Sequence, residues 1–141
     1  MFQRIKIDAR GLLLVLLVLV ALTALVSCGP PPPPSEDGVT LATSVDSSFK
    51  AVGSTTTFAP TDKFYASVQV SNVIVGTKVE SRWYFGSDEI TSGRTSITND
   101  KAGSGYLSFS LSVPNAFPTG DYKVETYLDG VLVKTTAFKV Q

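Results

Sequence analysis

The side chains able to do chemistry are few, and their types exclude more than they suggest. The chain has 141 residues, one cysteine (Cys28) and no histidine. Without histidine the commonest general base at neutral pH is missing. Ser-His-Asp and Cys-His hydrolytic arrangements are therefore excluded. Carboxylates remain, and a pair of them could in principle cleave glycosides. The candidates Asp88, Glu89, Asp100, Asp121 and Asp129 fall in loops or at strand ends, where Asp serves as a turn former. Asp88-Glu89 is too small a set for a calcium loop, whose oxygen ligands must converge in numbers. Gly103-Ser104-Gly105 has no helix after it to complete a phosphate cradle, so it reads as a turn. The composition points away from an enzyme, and no cofactor is called for.

The surroundings of Cys28 are more informative. Arg4, Lys6 and Arg10 precede an uncharged apolar run from Gly11 to Val26, followed by small Ser27. This is the layout of an export signal. Leu25-Val26-Ser27-Cys28 resembles the lipobox of bacterial lipoproteins. The resemblance implies cleavage after residue 27, a diacylglycerol and an acyl chain such as palmitate on Cys28, and a domain held outside the cytoplasm. Gly29, standing where an inner-membrane retention signal has Asp, implies the outer membrane in a host that has one. An uncleaved anchor is the alternative, although Gly11–Val26 falls short of the roughly 17 residues that a membrane span requires. A lipidated Cys28 also leaves no thiol for structural zinc, and no metal site is expected.

Residues 1–27 are thus read as signal peptide with an apolar helix, and 28–38 as the lipidated cysteine and a linker. Pro30–Pro34 favours a stiff polyproline II stalk. Residues 39–141 form the expected domain. The whole chain carries 12 basic and 12 acidic residues. Removing Arg4, Lys6, Arg10 and Asp8 with the signal leaves a slightly acidic remainder with no basic patch for nucleic acid.

Past the linker, apolar and polar residues alternate in short runs broken by Gly, Pro, Asn and Asp, which predicts an all-β domain. Phe64, Ala66, Val68 and Val70 share one strand face, as do Val79, Ser81, Trp83 and Phe85, and then Leu107, Phe109 and Leu111. Ile90 and Ile97 mark weaker strands separated by a turn at Ser92-Gly93. Asp129-Gly130 predicts a two-residue hairpin pairing Leu128 with Val131. Strict register would turn Phe138 outward, so a β-bulge is expected between Lys134 and Ala137 to bring Phe138 and Val140 back to the core.

These landmarks resemble an immunoglobulin-like Greek-key β-sandwich of about seven strands. Trp83 stands where that fold buries a tryptophan on strand C. Val68 or Val70 and Val124 replace the two core cysteines, and Tyr122 takes the tyrosine-corner position. The resemblance implies that strands C and F are neighbours, which gathers outward Arg82, Tyr84, Glu125 and Tyr127 on one sheet face. Tyr and Arg are the types that dominate binding hot spots; an aromatic pair of the two tyrosines beside an Arg82–Glu125 ion pair is the plainer reading. The polar segment from Gly86 to Ala102 is a second candidate surface. The expectation is a non-catalytic protein- or glycan-binding module of the bacterial cell envelope, or alternatively an accessory subunit of a larger membrane or surface assembly.

Overall fold

The computed structural model describes residues 29–141, so the signal segment and Cys28 lie outside the described residues. The folded unit is Pro33–Gln141. It contains nine strands: β1 (Ser35–Val45), β2 (Ala51–Ser54), β3 (Thr57–Phe58), β4 (Phe64–Val73), β5 (Lys78–Phe85), β6 (Asp88–Thr98), β7 (Gly103–Leu111), β8 (Gly120–Leu128) and β9 (Val131–Val140). They form a four-stranded sheet in the order β2-β1-β4-β7 and a five-stranded sheet in the order β3-β9-β8-β5-β6. Every pairing is antiparallel except β3 with β9. The chain changes sheet after β2, β3, β4, β6 and β7, giving the crossed connections of a Greek-key sandwich.

The period-two pattern places the core as expected. Phe64, Ala66, Val68 and Val70 are buried on β4, and Val79, Ser81 and Trp83 on β5. Trp83 is 0% exposed and lies 6.4 Å from the Phe64 ring and 6.0 Å from Phe138. Phe64 also stacks on Phe117 at 4.1 Å and meets Phe58 at 4.7 Å. Such aromatic pairs add to the burial of large apolar area. Val68, Val70 and Val124 are all buried, so packing takes the place of an inter-sheet disulfide. The Tyr122 hydroxyl donates to the Pro118 carbonyl at 2.7 Å, which forms the tyrosine corner.

Several expectations are corrected in detail. The strands number nine instead of about seven, because β2 and β3 add short pairings between β1 and β4. β1 starts at Ser35, ahead of the expected start at Val39. Glu36 pairs with Val70, and a bulge between Glu36 and Gly38 absorbs the irregularity. Asp37 helps fix this end, its carboxylate accepting from the Ser35 hydroxyl at 3.0 Å and from Ser71. Ser92-Gly93 is no turn between two strands: β6 runs unbroken, and the extra residues form a bulge opposite Arg82. Gly93 is buried there, and a Cβ on it would stand 2.8 Å from both Trp83 Cδ1 and Leu111 Cδ1. Phe85, expected inside, is 37% exposed. It ends β5 and lies 4.8 Å from the Tyr122 ring, closing the rim of the core.

The final hairpin has the predicted two-residue turn, with Asp129 at φ 49 and Gly130 at φ 84. A type I′ turn needs both residues in this region. The register reset also occurs, but earlier than expected: Tyr127 pairs with Leu132 and Thr126 with Lys134, leaving Val133 as the bulged residue. Phe138 and Val140 are buried as a result.

Candidate functional site

The outward side chains of β5 and β8 follow directly from alternation. Since Val79, Ser81 and Trp83 point inward, Lys78, Glu80, Arg82 and Tyr84 point outward, and on β8 Lys123, Glu125 and Tyr127 do the same. Register places Arg82 beside Glu125, Glu80 beside Tyr127 and Tyr84 beside Lys123. All four residues singled out in the sequence therefore share one face. Their pairing differs from the expected one. Arg82 Nε binds Glu80 Oε1 at 2.5 Å, not Glu125. Glu125 instead accepts from Lys123 Nζ and from the Tyr127 hydroxyl, each at 2.7 Å. The two tyrosine rings each lie under a cation and do not form an aromatic pair. Arg82 stands 4.1 Å from the Tyr127 centroid and Lys123 Nζ 4.5 Å from that of Tyr84.

This ladder is electrostatically closed on itself. The hydrogen bond from Lys123 holds the Glu125 carboxyl below its usual range, with Tyr127 and Tyr84 adding to the effect. The same carboxylate pushes the Tyr127 hydroxyl up to about 12. Arg82, with Lys78 behind it, lowers Glu80. Carboxyls held low are ionised at neutral pH and have no proton to give, so the face offers fixed charge and hydrogen bonding. Individually such pairs stabilise little; as a network they fix side-chain geometry.

Sequence reasoning did not include Glu80 and Lys123 in this site. The signal was present, since both alternate with the core residues of the strands already chosen. The second candidate segment, Gly86–Ala102, is mostly edge strand β6. Arg94 binds both carboxylate oxygens of Glu89 at 2.7 Å. Among the described residues no cluster of three or more Cys, Asp or Glu side chains could hold a metal. Asp129 has a structural role, its Oδ1 accepting from the Lys78 amide at 2.8 Å. Asp121 forms an exposed pair with Lys139 at 3.6 Å.

No protein family and no curated protein sequence matches the chain. Among solved structures, it is similar to an immunoglobulin-like protein from Pseudomonas aeruginosa, with a TM-score of 0.54 and 15% identity over 80% of this chain and 100% of that one. A β-glucosidase from Listeria innocua in complex with glucose gives a TM-score of 0.47 and 8% identity, over 77% of this chain and 16% of that one. The first likeness shows an immunoglobulin-like fold, in agreement with the strand order. The second is too remote to bear on function.

Proposed function

We propose that this immunoglobulin-like domain is a non-catalytic docking module, tethered in the cell envelope by lipid on Cys28, which binds a protein through the outer face of β5 and β8. The observation that carries the reading is the ladder Glu80, Arg82, Tyr127, Glu125, Lys123 and Tyr84. Charged and aromatic groups already held in place lose little rotamer freedom on association. Tyr and Arg are also the types enriched among residues that dominate interfaces. A glycan is a poorer fit on this face, because the cations already cover the ring faces on which a sugar would stack. The lipobox-like Leu25-Val26-Ser27-Cys28 supports the tether, and Gly29 supports outer-membrane placement where a host has one.

Two comparisons test this. Cys28→Ser should move the protein from the membrane to the soluble fraction; an unchanged distribution contradicts the tether. Proteins co-purified from native membranes should be lost with the Tyr84→Ala/Tyr127→Ala double variant and kept with Lys63→Ala. Identical partners in all three samples would make the face irrelevant.

The accessory-subunit reading is favoured by a different feature. β9 is paired on its outer side only at Lys139 and Val140, by β3. Near the hairpin Val131, Leu132 and Val133 are 68%, 49% and 43% exposed. An open apolar edge suits strand addition within an assembly. An obligate subunit should aggregate when purified alone as Cys28→Ser, whereas a docking module should remain monomeric.

A further inference from the structure

The outer face of the four-stranded sheet has a different chemistry. Register aligns Thr40, Ser67 and Ser108 across it, and next to them Gln69 with Tyr106. Over this face folds the β1–β2 turn. Asp46 Oδ1 accepts from the amides of Ser48 and Lys50 at 2.8 and 3.0 Å, and Phe49 is held in the left-handed region at φ 63. Ser67, although on the outward side, is only 2% exposed, because its hydroxyl donates to the Phe49 carbonyl at 2.7 Å. Between turn and sheet lies a cleft of about 360 Å³ lined by Asp37, Thr40, Lys50, Gln69 and Tyr106 among others. That size falls within the roughly 300–1,000 Å³ typical of small-molecule sites.

We infer that this cleft binds a carboxylated oligosaccharide. Sugar hydroxyls both donate and accept, and so do the Thr, Gln and Tyr groups that line the cleft. Tyr106 supplies a ring face, since the Lys50 ammonium is 6.0 Å from its centroid, at the limit of a cation–π contact. The carboxylate is assigned to the Lys50 ammonium, with which no acid pairs among the described residues; the other charged group of the lining, Asp37, accepts hydrogen bonds from Ser35 and Ser71. An extended peptide fits less well, because the backbones of β1, β4 and β7 already pair with one another here and offer no open ladder.

The site lies on the sheet opposite the β5–β8 face, so either assignment can fail without the other. The test is calorimetric titration of the full chain in detergent micelles with trigalacturonate, sialyllactose and a hyaluronan tetrasaccharide. Cellotetraose and tetraglutamate serve as controls. At least one acidic sugar should bind about tenfold or more tighter than either control, the scale of one charge-assisted hydrogen bond. Lys50→Met should remove that margin, Tyr106→Ala and Gln69→Ala should weaken binding with thermal unfolding unchanged, and Tyr84→Ala should have no effect. Amide NMR shifts on binding should centre on Gln69 and Tyr106. Failure of all three acidic sugars overturns the assignment. So does equal affinity for either control, indifference to Lys50→Met, or shifts centred elsewhere.

Discussion

The two outer faces of this sandwich use opposite strategies on the same scaffold. On the five-stranded sheet, charges of both signs alternate along β5 and β8 and satisfy one another, so that the tyrosine rings are covered and the side chains fixed. On the four-stranded sheet, hydroxyls and an amide stand beside a tyrosine whose cation is farther away, under a turn that walls off a cleft. The first face is the one proposed to meet a protein surface, and the second the one proposed to surround a small polar ligand. Residue types common in hot spots mark the former; spare hydrogen-bonding capacity marks the latter.

Both faces depend on one core, so the largest expected effect abolishes the contrast. Trp83→Ala should cost about 3–5 kcal/mol in denaturant unfolding, as truncation of a buried aromatic does. A loss under about 1 kcal/mol would place the ring outside the core. Gly93→Ala comes next at about 1–3 kcal/mol, because the new methyl must displace Trp83 or Leu111 from contacts of 2.8 Å. Tyr122→Phe removes only the bond to Pro118 and should cost about 1 kcal/mol. An unchanged melting temperature would contradict the corner.

Smaller effects separate the sheets by the sign of their pH dependence. Glu36, on β1 of the four-stranded sheet, points inward, where Thr126 Oγ1 donates to it at 2.9 Å. Burial raises its carboxyl above the ordinary 4.5, outweighing the help from Thr126 and Lys134. As pH rises past that value the unfolded chain ionises first, so stability falls until the folded carboxyl has ionised too. Glu36→Gln should flatten this decline in thermal melts from mildly acidic to neutral pH. Glu125 and Glu80 on the five-stranded sheet are held low by Lys123 and Arg82. Their contribution is present above the ordinary carboxylate value and is lost as pH falls through the lowered one. Glu125→Gln should reduce that acid-side loss and make stability less sensitive to salt, the smallest effect of the series. A common pH slope for both variants would erase the distinction.

What the sequence made legible follows the same division. Alternation along β4, β5, β7 and β8 was enough to place the core, and Asp129-Gly130 fixed the last hairpin. The bulge in β9 was deducible because strict register would have left Phe138 and Val140 in water, although its position at Val133 depends on local pairing. Arg82, Tyr84, Glu125 and Tyr127 were brought together by alternation and strand order. Which cation bonds which carboxylate was not legible, since Arg82 stands two residues from Glu80 on its own strand and opposite Glu125 on the next. The cleft was hidden for a different reason. It exists because a turn folds back so that Phe49 meets Ser67, a contact between residues 18 apart in the chain, and Ser67 in an alternating strand looks like any solvated hydroxyl. Polar Ser35-Glu36-Asp37-Gly38 likewise reads as linker until Glu36 pairs with Val70.

Photo-cross-linking in native membranes tests the central assignment most directly. A photoreactive residue placed at position 84, on the charged face, is compared with one at position 108 on the hydroxyl face. A discrete protein adduct is expected from position 84 and none from position 108. An adduct from 108 with none from 84, or the same adduct from both, would contradict the assignment.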